Sequence, residues 1–112
     1  MSGKLGPYAG IKVLDFGQVL AGPYAGMILA DLGADVVKVE SLEGDSTRNY
    51  VPPDIDGHSP YFLFVNRNKR GLAMDLKSKD GRDAVIAMVK NVDVVIENFR
   101  ANVMEKLGLD YA

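Results

Sequence analysis

Residues 11–40, IKVLDFGQVLAGPYAGMILADLGADVVKVE, read as strand, loop, helix, turn and second strand. The run at 11–16 is short and β-rich and is closed by Gly17 and then by Gly22-Pro23. Proline is favoured in a first helical turn, and Tyr24, Met27, Ile28 and Leu32 recur at helical spacing until Gly33, a suitable C-terminal cap. Val36-Val37-Lys38-Val39-Glu40 is the second strand. Two strands joined by a helix make a βαβ unit, whose crossover is right-handed, so the strands are expected to lie parallel.

Outward from that unit, residues 41–60 turn to Gly, Pro, Asp and Ser, with Pro52-Pro53 and Asp56-Gly57 as turn signals, and predict a surface excursion. Tyr61-Phe62-Leu63-Phe64-Val65 fits a short helix or a strand equally, because periodicity does not separate the two over so few residues. Residues 71–76 predict a third strand. Ser78 or Asp80 then caps a helix carrying Val85, Met88, Val89 and Val92. Residues 93–97 predict a fourth strand, and Val103, Met104 and Leu107 begin a last helix that Gly108 ends. The fold class is α/β: Rossmann-like βαβ units around a parallel sheet. Such sheets need both faces covered. The continuously apolar Val94-Val95-Ile96 therefore predicts self-association or packing on further chain.

With 112 residues, 47% hydrophobic and 25% charged, the chain is expected to form a single globular domain. It has no cysteine, so it holds neither a disulfide framework nor a thiolate nucleophile, and no metal site is expected. No secretory pattern opens it and no apolar run approaches the roughly 20 residues of a membrane helix. A cytoplasmic setting follows as an expectation, with no membrane partner. Residues 1–56 hold four Lys/Arg against eight Asp/Glu, and residues 57–112 hold nine against seven. The back half suits a small anion, and the basic excess is too slight for nucleic acid.

Two cation-bearing turns, Met74-Asp75-Leu76-Lys77 and Asn98-Phe99-Arg100, each follow a strand-like run and precede a helix-like one. Loops in that position flank the crevice beyond the carboxyl ends of parallel strands, where phosphate-rich ligands bind. Asn66-Arg67-Asn68-Lys69-Arg70 is the densest cationic cluster, readable either as a phosphate or carboxylate fork or as a solvated loop. Glu40 ends the second strand, where dinucleotide folds place a ribose-binding acid, but Gly17, Gly22 and Gly26 lack the G-x-G-x-x-G spacing. His58 reads as a loop residue. Asp15, Asp75 and Glu97 sit near strand ends without a visible catalytic partner, so no catalytic residue is assigned.

Taken together, residues 11–15, Leu20-Ala21-Gly22-Pro23, residues 29–40, residues 66–70 and Val95-Ile96-Glu97-Asn98-Phe99-Arg100 resemble, in order, the family III CoA-transferases. That group includes formyl-CoA transferase, carnitine CoA-transferase and α-methylacyl-CoA racemase. The resemblance implies that residues 1–112 are a single CoA-binding α/β lobe, the amino-terminal part of a larger enzyme. That enzyme would act on an acyl-CoA and a small carboxylic acid, as an interlocked homodimer. It further implies that coenzyme A touches Leu20 and Ala21, then Met74, Asp75, Leu76 and Lys77, and then Asn98, Phe99, Arg100 and Lys106. The transferase's nucleophilic aspartate, and the racemase's acid-base pair, are expected beyond residue 112, which would leave this chain alone inactive.

Two positions depart from the family pattern. An arginine often follows the second strand, whereas Ser41 and Leu42 stand here, with Arg48 as a substitute. Leu20 replaces the glutamine of formyl-CoA transferase, with Gln18 two residues earlier, so a formate-like acyl specificity is not expected. A racemase fragment, a stand-alone nucleotide-binding module using Glu40 and a purely structural domain remain as alternatives.

Overall fold

Four strands, β1 (Lys12–Asp15), β2 (Asp35–Glu40), β3 (Arg70–Ala73) and β4 (Val94–Ile96), form one sheet in the computed structural model, which describes residues 5–111. Helices α1 (Ala21–Asp31), α2 (Pro60–Val65), α3 (Lys79–Val89) and α4 (Val103–Lys106), with a 3-10 turn at Ser46–Asn49, complete it. The strand order is β3-β2-β1-β4 and every pairing is parallel, as the βαβ reading requires. Val13 lies opposite both Val36 and Val94, so β1 is the central rung from which the chain first builds one way and later returns to build the other.

Strand alternation sorts the core into two layers. Val13 and Val36 pack with Ala30 and Ala34 under α1, while Leu14, Phe16 and Val39 pack with Val85 of α3. Burying each large side chain contributes about 1.5–3 kcal/mol. Among the described residues no helix is long and apolar enough to cross a membrane.

The face that α1 turns to the sheet differs from the one its large residues predict. Met27 is buried, but Tyr24, Ile28 and Leu32 are 44%, 42% and 38% exposed. The buried row is Gly22, Gly26 and Ala30 with Pro23. Small side chains let the helix backbone approach closely. A Cβ on Gly22 would stand 2.6 Å from the Gly17 Cα, and one on Gly26 would stand 2.6 Å from Asp15 Oδ2. Volume excluded at the contact thus decided the orientation over hydrophobicity.

Other boundaries shift for local reasons. Residues 61–65 are helical: the Ser59 Oγ accepts from Phe62 N at 3.2 Å, and Pro60 occupies the first turn. The third strand ends at Ala73 rather than at 76, because the Asp75 carbonyl turns to accept from Ser78 N and Ser78 Oγ. Ser78, not Asp80, is the cap of α3, accepting from Gly81 N at 3.0 Å. Val92 lies past the helix end, in the turn before β4. Gly33 and Gly108, with φ of 105° and 71°, end α1 and α4 as expected. Val94 and Val95 of β4 stay 37% and 39% exposed, the surface whose continuous apolar character asked for cover.

Candidate functional site

Beyond the carboxyl ends of the strands lies a cleft of about 380 Å³. Gln18 from the loop after β1, Val39, Ser41, Leu42 and Glu43 from the end of β2, and Asp75, Leu76 and Lys77 from the turn after β3 line it. Phe99, Val103 and Leu107 close the far wall. This is the position where open parallel sheets receive ligands, next to the point where the strand order reverses around β1. The wall is largely apolar, with Lys77 as its cation and Glu43 and Asp75 as its acids.

Asp75, Leu76, Lys77 and Phe99 of the expected contacts share this cleft. The Asp75 Oδ1 accepts from Lys77 N at 3.0 Å, which folds the turn tightly against the start of α3. Met74 lies half-buried in the core beneath. Leu20 caps α1 and Ala21 opens it, both exposed. Asn98 spends its side chain on Gln18, accepting from its backbone N at 2.7 Å and donating to its carbonyl at 2.8 Å. Arg100 and Lys106 are exposed on the α4 side, off the cleft wall.

The loop after β1 is held from below by buried charge. Lys69 Nζ donates to Asp15 Oδ2 at 2.7 Å, to the Pro23 carbonyl and to Asn66 Oδ1, both at 2.9 Å. Beside it, Lys38 Nζ donates to Asp45 Oδ2 at 2.9 Å and to the Gly17 carbonyl at 3.0 Å. Every described buried side-chain nitrogen or oxygen in the molecule has a partner. Burial draws Lys69 below the ordinary lysine range, and the Asp15 carboxylate pulls against it. For Asp45, burial pushes upward, but the Thr47 backbone N–H and Lys38 outweigh it and leave the carboxyl low.

The cationic run at 66–70 resolves into carboxylate forks within the chain itself. Arg67 forks onto Asp31 at 2.6–3.2 Å, Arg70 onto Asp35 at 2.8–3.1 Å, and Lys69 is the buried partner of Asp15. Each cation has an acid of this chain as its partner, the two arginine pairs at the surface and Lys69 in the interior, so the run braces α1, β1 and β2. Glu40 is likewise engaged: it accepts from Arg48 Nε and Nη2 at 2.8 and 2.7 Å and from Asp45 N at 2.7 Å. Arg48 in turn lies 3.9 Å from the Phe62 ring centre. The Arg48 substitute for the family's arginine is thus outside the cleft wall, committed to Glu40 and Phe62. His58 is an exposed loop residue bridged to Ile55. Glu97 Oε2 accepts from Phe99 N at 2.9 Å, a turn contact.

Sequence reading missed the Asp45–Lys38 pair and the role of Lys69, whose partners are distant in the chain. The alternation that buries Val13 and Val36 also buries Asp15 and Lys38 on the same face, and that was a usable signal.

A family model described as CoA-transferase family III matches residues 8–112. Succinyl-CoA:mesaconate CoA-transferase of Haloarcula hispanica is 48% identical over 111 residues, covering 96% of this chain and 28% of that enzyme. Succinate–glutarate CoA-transferase of Agrobacterium fabrum is 46% identical over 112 residues, covering 94% of this chain and 28% of that enzyme. A crystal structure of a CAIB/BAIF family protein from Brucella suis superposes with a TM-score of 0.90 at 46% identity, over 96% of this chain and 30% of that one. The chain thus spans a little over a quarter of the relatives it matches, corresponding to their amino-terminal portion.

Proposed function

Because the chain belongs to CoA-transferase family III, we propose that residues 1–112 form a CoA-binding lobe of an enzyme that moves CoA between carboxylic acids. The observation that carries this is the cleft at the strand carboxyl ends, where Asp75, Leu76, Lys77 and Phe99 converge. Lys77 supplies a phosphate contact there, and Phe99, Leu42 and Val103 supply apolar surface for a base or a pantetheine chain. Met74 contributes backbone, while Leu20, Ala21, Asn98, Arg100 and Lys106 complete the proposed contacts around the rim.

The chain's own residues bind and orient. Asp15, a fully buried strand-end carboxylate, is tied to Lys69 and does not line the cleft; the acyl-transferring carboxylate is proposed, from the family resemblance, to lie outside these residues. The reading extends to a cytoplasmic enzyme working as a homodimer on an acyl-CoA and a small carboxylic acid. Transfer is preferred to racemisation because the matched relatives are CoA-transferases.

Calorimetric titration with coenzyme A, with NAD as control and repeated at raised salt, tests the reading. CoA binding that weakens with salt is expected, since phosphate contacts are screened. A folded sample that binds NAD but not CoA overturns it.

A further inference from the structure

Between Gly17 and Val19 five successive backbone polar groups are each held by a side chain, one from Asp15 just before the loop and the others from elsewhere in the fold. Gly17 N donates to Asp15 Oδ1 at 2.7 Å, and the Gly17 carbonyl accepts from Lys38 Nζ at 3.0 Å. Gln18 N and its carbonyl are taken by Asn98, and Val19 N donates to Asp45 Oδ2 at 3.3 Å. Three of these four clamping side chains, Asp15, Lys38 and Asp45, are buried charges, an arrangement that is expensive to desolvate. Val19 is held at φ of 65°, a left-handed conformation that a β-branched residue rarely adopts and that marks ligand clamps.

The side chain presented from the middle of this clamp is Gln18. It lines the cleft, and its carboxamide makes no hydrogen bond to any described residue. Taking the CoA-binding reading of the cleft as its basis, we infer that Gln18 is a recognition residue: its carboxamide pairs with a neutral donor–acceptor edge of the ligand. A carboxamide offers an acceptor and two donors in one plane. Its counterparts in coenzyme A are the amide groups of the pantetheine arm and the edge of the adenine base. Phosphate is left to Lys77. The clamp removes the loop's freedom before the ligand arrives, so less ordering entropy is lost on binding.

Gln18 is exposed, so replacing it leaves the core intact. Calorimetry on the wild-type chain, Gln18→Ala and Gln18→Glu with coenzyme A tests the inference, with adenosine 3′,5′-bisphosphate and pantetheine as separate arms. The expected result is a CoA affinity at least about tenfold lower in both variants at an unchanged melting temperature. Loss in the bisphosphate arm assigns the adenine edge, and loss in the pantetheine arm assigns an amide. A Gln18→Ala chain that binds CoA as tightly as wild type overturns the role of Gln18 while leaving the cleft reading standing. A folded wild-type chain that binds none of the three overturns both.

Discussion

Lys69 Nζ sits 2.7 Å from Asp15 Oδ2 with both side chains sealed from solvent, joining the loop before β3 to the end of β1 across 54 residues. Buried pairs of this kind are not strong sources of stability, yet removing one partner orphans the other.

Lys69→Met and Asp15→Asn are therefore each expected to lower stability by about 3–5 kcal/mol. The double variant should lose less than the sum of the two, because no charge is then left alone. Urea unfolding of the three variants measures this. Additive losses would mean that the two groups do not depend on one another.

Stability is expected to fall in acid through Asp45 and Glu40. Burial pushes both carboxyls up, but the partners of each outweigh it and hold them below the ordinary values of 3.8 and 4.5. The unfolded chain then binds protons at higher pH than the folded one, so this contribution is complete above about pH 4.5 and drains as pH falls through the folded values. Asp45→Asn should be less stable at neutral pH and show a shallower acid slope. An unchanged slope in denaturant midpoints between pH 5 and 2 would exclude Asp45 as a source.

Gly22→Ala places a methyl group 2.6 Å from the Gly17 Cα and 3.0 Å from Asn98 Oδ1, atoms of the clamp itself. Overpacking of this order costs about 1–3 kcal/mol. It should also weaken CoA binding, since Gly17 and Asn98 frame Gln18. A melting temperature and affinity equal to wild type would show that α1 can slide outward without disturbing the loop.

Lys77→Ala should lower CoA affinity about tenfold and flatten its salt dependence, because a charge-assisted contact is lost. Arg48→Ala should leave that affinity unchanged and cost about 1 kcal/mol of stability, through its half-exposed fork on Glu40. Titration at two salt concentrations separates the pair. A larger loss from Arg48 would put the phosphate beside Glu40 instead.

The parallel sheet was legible because β1, β2 and β4 are apolar runs set off by Gly, Pro and Asp, a pattern local enough to read along the chain. The cleft residues Asp75, Leu76, Lys77 and Phe99 followed from strand ends and the family pattern. The partners of charge were not legible: Arg67 with Asp31, Arg70 with Asp35 and Lys69 with Asp15 are joined by the crossover, not by spacing. The packing face of α1 was not legible because Tyr24 and Ile28 advertise hydrophobicity, whereas Gly22 and Gly26 advertise only the absence of a side chain.

The Asn98 latch on Gln18 spans 80 residues, and β4, the last strand along the chain, pairs with β1, the first. Contacts this far apart in sequence carry a larger loop-closure cost than local ones. The cleft is therefore complete only with the fourth strand in place, since Phe99, Val103 and Leu107 follow it and Asn98 latches Gln18. A ligand bound in this cleft would then work as a fold inspector, drawing only on molecules with β4 in place and stabilising them against its loss.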